Sequence, residues 1–480
     1  MSDTSSPVQT IPYDRSALQP RILHLGFGAF AKAHVMVFHD HMLRQTSGDW
    51  GVIAARLHSG AEEMTQLDQA GGIFTVGEMS GEDIHLLEIG CISGTLHAKR
   101  DGLPALLSRI ADPGLAVITL TITEKGYCLS GGTLDLGHEG IQDDLANPDT
   151  PRTAIAIIAK GLALRMAAGA SGLTILSCDN LPANGHLCRR ALLDYAAQLD
   201  PKLREWIEDE CRFPCSMVDR ITPAMTEASQ QKLEAALGRP DPNGILCEPF
   251  RQWVIEDTFA SERPQWDLAG AQFVADVAPF EEMKLRLLNG SHSFLAYLGA
   301  LADKETIADC MNEPVLKAAA KKLMLDEQAP TLKVPEGVDI VRYADDLIAR
   351  FSNPALRHKT TQIASDGSQK LPQRLLAPIR DHLRTGRPWA LSAFAVAGWM
   401  HYCRGTSETG NTLPINDPLA DQIRSIAGQS DGADYVDNLL SLKPVFGEEL
   451  PASPAFADRI RSAYDAIGSR GVINSIAASL

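Results

Sequence analysis

The sequence predicts an α/β chain with a mostly parallel sheet in its first 280 residues and a largely helical remainder. Two observations carry this. Up to about residue 276, short apolar strand candidates alternate with helical patterns, the signature of a parallel sheet covered on both faces. From Glu281 onward alternating runs disappear and helical periodicity dominates. A domain boundary near 275–285 follows, giving a first domain over 1–280 and a second over 281–480.

The first strand candidate is 22–25. It runs into Gly26-Phe27-Gly28-Ala29-Phe30-Ala31, with a helix expected from there to about Arg44. The first glycine permits the tight turn, the second lets backbone approach a pyrophosphate, and alanine in third place allows close helix–strand packing. In this position the motif reads as a Rossmann-type dinucleotide site; the bland alternative is an ordinary tight turn. The next strand, 52–57, ends in Arg56-Leu57-His58-Ser59 without the acidic residue that usually binds the adenosine ribose. Arg56, His58 and Ser59 suit a 2′-phosphate or are plain loop residues, so NAD and NADP both remain open.

Further strands are expected at 73–77, 84–92, 115–122, 173–178 and 271–276, and helices at 103–110, 153–168, 186–198 and 224–237. Thr121-Ile-Thr-Glu124 and Cys178-Asp179-Asn180 follow two of these strands, where open α/β sheets place ligands. Asn180 has a competing reading as a helix cap. Asp219-Arg220 is a site loop or an internal ion pair.

Helices are expected at 281–302, 313–325, 340–351, 372–385, 389–403, 417–428, 432–442, 455–467 and 470–479. The first carries Lys284, Asn289 and His292 ahead of an apolar run. At about 100° per residue, Lys284 and His292 lie roughly 80° apart, and Asn289 roughly 60° beyond His292. A cation, an amide and an imidazole on one face can bind a carbonyl or hydroxyl and move its proton; a solvated helix face has the same spacing. Acting at neutral pH, the lysine needs its pKa lowered by about 3 units from roughly 10.4. Ligand clefts favour domain junctions, and this helix falls at one. His358, Lys370 and Arg374 cluster in a span suited to a substrate carboxylate.

Net charge is −16 with no long basic run, which argues against nucleic-acid binding. The polar start Met1–Pro7 has no leader character, and no apolar stretch is long enough for a membrane. Nine scattered cysteines fit a reducing cytoplasm. Gly137-His138-Glu139 superficially matches a zinc-enzyme signature, but no further ligands follow at recognisable spacing, so no metal is expected.

Six strings together resemble the mannitol dehydrogenase family: GFGAFAKAH at 26–34, TITEKGYC at 121–128, SCDNLPANG at 177–185, MVDRITPA at 217–224, EPFRQWVIED at 248–257 and EEMKLRLLNGSHSFLAYLG at 281–299. The resemblance implies a metal-independent NAD(P)-dependent oxidoreductase, monomeric or a small homo-oligomer, acting on a sugar acid, ketose or polyol. It implies that Lys284 is the general acid/base, and that Asn289 and His292 hold the reacting oxygen. Asn180 and Asp219 would line the substrate pocket, Glu281 would link the lysine to solvent protons, and Lys370 would reach the polyol chain. HKTTQIASDGSQKLPQR at 358–374 looks most like the fructuronate reductase branch. Mannitol 2-dehydrogenases, the alternative, tend to carry arginine in place of Gln362. A non-catalytic NAD(P)-binding redox sensor is the competing class.

Overall fold

A computed structural model describes residues 8–46 and 48–480; the N-terminal segment read for leader character lies outside them. The chain divides into two compact units, one running to Ala278 and one from Pro279 to Leu480.

The first unit is built on five parallel strands in the order Thr174–Ser177, Val117–Leu120, Gln19–Leu25, Trp50–Arg56, Ile92–His97. Alternate residues of the central strand serve different cores. Ile22 packs with Phe38, Met42 and Trp253, whereas Leu23 and Leu25 pack with Ile155, Ile158 and Leu162. Burial on both faces is why these strands read as unbroken apolar runs. The chain starts in the middle, builds outward through Trp50–Arg56, then returns to the other side at Val117–Leu120. Strand order reverses beside Gln19–Leu25, and ligands of such sheets bind at the carboxyl ends there.

The expected strand 84–92 is in fact two, Asp83–Ile89 and Ile92–His97, lying in different sheets. Gly90 makes the break. A Cβ on it would sit 2.4 Å from Ile11 Cδ1, and its N–H donates to Asp40 Oδ1 at 2.8 Å. Asp83–Ile89 pairs antiparallel with Phe74–Ser80 in a four-stranded sheet completed by Val8–Gln9 and Ile245–Cys247. Ser216–Asp219, Gln252–Glu256 and Gln272–Val274 form a third sheet. Helices Ala61–Gln69, Glu139–Ala146 and Pro201–Glu210 were not expected; each carries only two buried residues, too faint a stripe to read.

In the second unit no strand occurs among the described residues. Its centre is formed by Ser291–Leu301 and Ala390–Tyr402, packed together. Every residue of the first is buried, so it is apolar nearly all round, as a central helix must be. Gly398 allows the contact, since a Cβ there would lie 2.7 Å from Leu298 Cδ2. The buried N-terminus of Ala390–Tyr402 is capped from outside: Glu327 accepts from Leu391 N, Ser392 N and Ser392 Oγ at 2.8, 2.7 and 2.7 Å. Burial pushes this carboxyl's pKa up while those donors oppose it. Among the described residues, no helix is long and apolar enough to cross a membrane.

Candidate active site

The glycine turn shows two kinds of glycine. Gly26 has φ +93°, and a Cβ on it would lie 2.2 Å from Thr121 O, so only glycine fits. Around Gly28 a Cβ would meet nothing nearer than Gly26 O at 3.6 Å. The protein's own packing does not require glycine there, and the open space beside the backbone is of the kind a dinucleotide pyrophosphate needs. Phe27 is buried edge-on to Phe74, Ala29 is exposed, and Phe30 stacks on His34 at 4.8 Å. The helix opens through a wide π turn, Ala31–Val35, before Met36–Leu43.

Thr121 donates to Gly26 O at 2.8 Å and bonds His24 Nε2 at 2.9 Å, so its hydroxyl shapes the turn. Burial lowers the His24 pKa to about 3, keeping that ring neutral. Glu124 is exposed in the short helix Thr123–Gly126. His58 and Ser59 are exposed at the end of the second core strand. Arg56 lies over Gly60 and pairs with Glu63, an acid from the unexpected helix Ala61–Gln69. Lys32, which the motif reading left without a role, donates to Asn243 O at 3.0 Å and lies 5.6 Å from the Phe27 ring centroid. Burial, reinforced by Arg56 and opposed by Asp241, lowers its pKa to about 8.

Asn180 is exposed on a loop held at both ends. Asp179 accepts from Ile122 N, Thr123 N and Tyr127 Oη at 3.1, 2.8 and 2.7 Å, tying two strand-end loops together. Asn184 donates through Nδ2 to Ser177 O, Asp179 O and Ser216 O and accepts from Ser216 N. The next helix starts at Asn184 after Ala183, so Asn180 is not its cap. Neither Asp179 nor Asn184 is marked by any local pattern; their multiple buried bonds reveal the framing. Asp219 is buried at the end of its strand. The ion pair of wholly buried Arg220 is with Glu78.

The second unit carries candidate residues of its own. Lys284 and His292 are buried at 8% and 7% exposure, and Glu281 and Asn289 are half-buried. The helix over 278–301 is not regular: Lys284–Gly290 is a π segment. At roughly 4.4 residues per turn, each step there is about 82° instead of 100°. Lys284, Asn289 and His292 then fall within a sector of roughly 80°, against roughly 140° in a regular helix. The wide turn thus does what the 100° spacing did only loosely. Two more π segments, Leu323–Gln328 and Pro372–Leu376, pack against it.

The His292 ring lies tilted against Phe351 at 4.4 Å and meets His358 edge-on at 5.4 Å. Burial, with His358, Arg350 and Arg374 adding, holds its pKa well below the usual histidine range, so the imidazole is neutral and donates through one nitrogen. Burial and Lys370 likewise lower His358. The Lys370 ammonium donates to Ser365 O at 2.5 Å and Ile363 O at 3.3 Å, and burial, helped by Arg374, lowers its pKa. Arg374 donates to Ser293 Oγ at 3.2 Å and Asn289 O at 3.4 Å, bracing the wide turn. Lys359, the neighbour of His358, pairs with Glu305 at the surface. His138 is a helix N-cap, accepting from Gly140 N at 3.1 Å.

A neutral donor pair beside a buried lysine can hold a carbonyl oxygen and move its proton. Comparison with known proteins bears on this. The family model of the mannitol dehydrogenase Rossmann domain matches residues 20–268, and that of the mannitol dehydrogenase C-terminal domain matches 276–468. D-mannonate oxidoreductase of Escherichia coli is 48% identical over 99% of each chain. Mannitol 2-dehydrogenase of Pseudomonas fluorescens, solved with NAD and D-mannitol, superposes with a TM-score of 0.84 at 36% identity, covering 98% of this chain and 96% of that one. A substrate-free D-sorbitol dehydrogenase superposes with a TM-score of 0.92 at 32% identity, covering 98% and 97%.

Proposed function

This chain belongs to the mannitol dehydrogenase family, and from that premise we propose that it is an NAD-dependent reductase of a keto sugar acid, interconverting D-fructuronate and D-mannonate. Its relatives are oxidoreductases, which sets aside the sensor reading. NAD supplies or accepts the hydride. Gly26 and Gly28 cradle its pyrophosphate, with Phe27, Ala29, Phe30 and Thr121 forming or bracing the turn. His58, Ser59, Glu124 and Asn180 line its path. Arg56, the group suited to a 2′-phosphate, is engaged by Glu63, which supports NAD over NADP.

In reduction, Asn289 and neutral His292 donate to the ketone oxygen and stabilise the charge developing on it. Lys284 gives that oxygen a proton, and Glu281, one turn earlier, passes protons to and from the lysine. Asp219 and Asn180 orient the hydroxyls next to the carbonyl. His358 and Lys370 face the substrate carboxylate, with Arg374 adding charge while it braces Asn289. The observation that carries the reading is the π segment Lys284–Gly290, whose wider turn supports a shared face for Lys284, Asn289 and His292. All nine cysteines are buried free thiols, and a reducing cytoplasm is the compartment proposed here.

Steady-state kinetics with fructuronate and fructose, each with NADH and NADPH, test this. The expected result is a kcat/KM for fructuronate with NADH at least about 100-fold above that for fructose, about 2.7 kcal/mol of discrimination. Fructose as the better substrate would transfer the reading to mannitol 2-dehydrogenation.

A further inference from the structure

The first unit carries a cluster that the reaction does not use. Among the described residues, one trio of metal-ligating side chains comes together: the ligand atoms of His186, Cys215 and Glu256 lie within 4.8 Å of one another. They come from three elements far apart in sequence, so no spacing rule announces them. We propose that they bind one thiophilic divalent cation of the zinc class, outside the reaction centre.

The backbone holds these residues in place before any ion arrives. His186 sits near the start of the helix Asn184–Leu199, whose approach to the chain before Ser216 depends on Gly185. A Cβ on Gly185 would lie 2.4 Å from Phe213 O and 2.5 Å from Pro214 O. Asn184 locks that approach by bonding both Ser216 N and Ser216 O, at 2.9 and 2.8 Å. Cys215 immediately precedes Ser216. Glu256 is its cross-strand neighbour: Glu256 N donates to Cys215 O at 3.0 Å, and Cys215 N donates to Glu256 Oε2 at 2.8 Å. That second bond orients the carboxylate and leaves Oε1 for a ligand, the kind of outer support metal ligands have.

The chemistry matches zinc. Imidazole nitrogen, thiolate sulfur and carboxylate oxygen bind it at about 2.0–2.3 Å, which places ligand atoms about 3.3–3.8 Å apart in a tetrahedron. Closing from the present separation takes about an ångström, and His186 is exposed and able to turn. Binding displaces the Cys215 thiol proton to solvent, and the thiolate and carboxylate together balance a doubly charged ion. Neighbouring Arg189 and Arg204 both pair with Glu208, which offsets their charge. Because Asn184 frames the loop bearing Asn180, a bound cation clips that loop to the sheet Ser216–Asp219 and Gln252–Glu256.

The test uses the full-length chain, stripped with chelator and titrated with Co²⁺ as the probe. One equivalent should produce a thiolate-to-cobalt charge-transfer band that Zn²⁺ bleaches. Cys215→Ser and His186→Asn should each abolish the band or weaken affinity about 100-fold. Zn²⁺ should raise the Tm of the wild type and not of either variant. Circular dichroism confirms that the variants fold, and exposed His186 supplies the arm least exposed to misfolding. Absence of the band in the wild type, or unchanged affinity in His186→Asn, would overturn the site. The readout is spectral, so it stands apart from the outcome of the substrate assays.

Discussion

The glycine turn and the lysine turn reach the same end by opposite means. At Gly26 the positive φ is a local constraint, to which the Thr121 carbonyl 2.2 Å from any Cβ adds a tertiary one; together they permit one residue type, and glycine stands there. At Lys284–Gly290 the constraint is tertiary. Three π segments from separate parts of the second unit pack together, and Arg374 and Gln328 crowd Gly290. Nothing in the periodicity of 284–290 marks a π turn. Wide turns are rare and favour functional sites, because the packing that holds them must be supplied elsewhere.

The sharpest way to break this contrast is in the lysine turn. Lys284→Ala should lower kcat about 10³- to 10⁴-fold with NADH affinity within about twofold, whereas Asn289→Ala should cost about 10²- to 10³-fold. Stopped-flow measurement of NADH oxidation checks both. If the two substitutions cost the same small factor, the sector formed by the wide turn has no catalytic role. Next in size, Lys370→Gln should raise the KM for fructuronate about 10- to 50-fold and leave that for fructose nearly unchanged, as steady-state rates will show.

The glycine turn offers an internal control. Gly26→Ala should destabilise the fold by about 2 kcal/mol or more, since both φ and space oppose it. Gly28→Ala should leave urea unfolding within about 1 kcal/mol of wild type yet weaken NADH binding about tenfold or more, because only the ligand needs that space. Equal effects in both assays would erase the distinction between the two glycines.

The last effect is on pH. His24 is held to about 3 by burial, below the roughly 6.5 of an unfolded histidine. Above the unfolded value both states are neutral and stability is intact. Below it the unfolded chain takes up a proton that the fold refuses, so stability falls by up to about 1.4 kcal/mol per pH unit until the folded value is reached. His24→Gln should flatten the dependence of urea midpoints between pH 7 and 5; an unchanged slope would assign it to other groups.

How legible the molecule was follows the same division. The sequence pattern located Ile340–Phe351 and the core strands, because their apolar periodicity is strong. It merged Asp83–Ile89 with Ile92–His97, since a run of apolar residues hides the bend that Gly90 makes against Ile11. It overlooked Ala61–Gln69 and with it the Glu63 carboxylate that engages Arg56. Among site residues, motifs pointed to Lys284, Asn289 and His292. They did not reveal that Asp179 and Asn184 frame Asn180, that half-buried Lys32 lies near Arg56, or that Arg374 braces Asn289. Those roles arise from contacts between segments distant in sequence, which no local pattern encodes.

The proton-transfer assignment is tested most directly by the pH dependence of kcat for alcohol oxidation in wild type and Lys284→Ala. His292 is already neutral across the working range, so it adds no ionisation there. The account predicts a wild-type rate that falls about tenfold per pH unit on the acidic side, as the proton acceptor becomes occupied, and a slow, flat profile in the variant. The same acidic limb persisting in Lys284→Ala would assign the proton to another group and contradict the account.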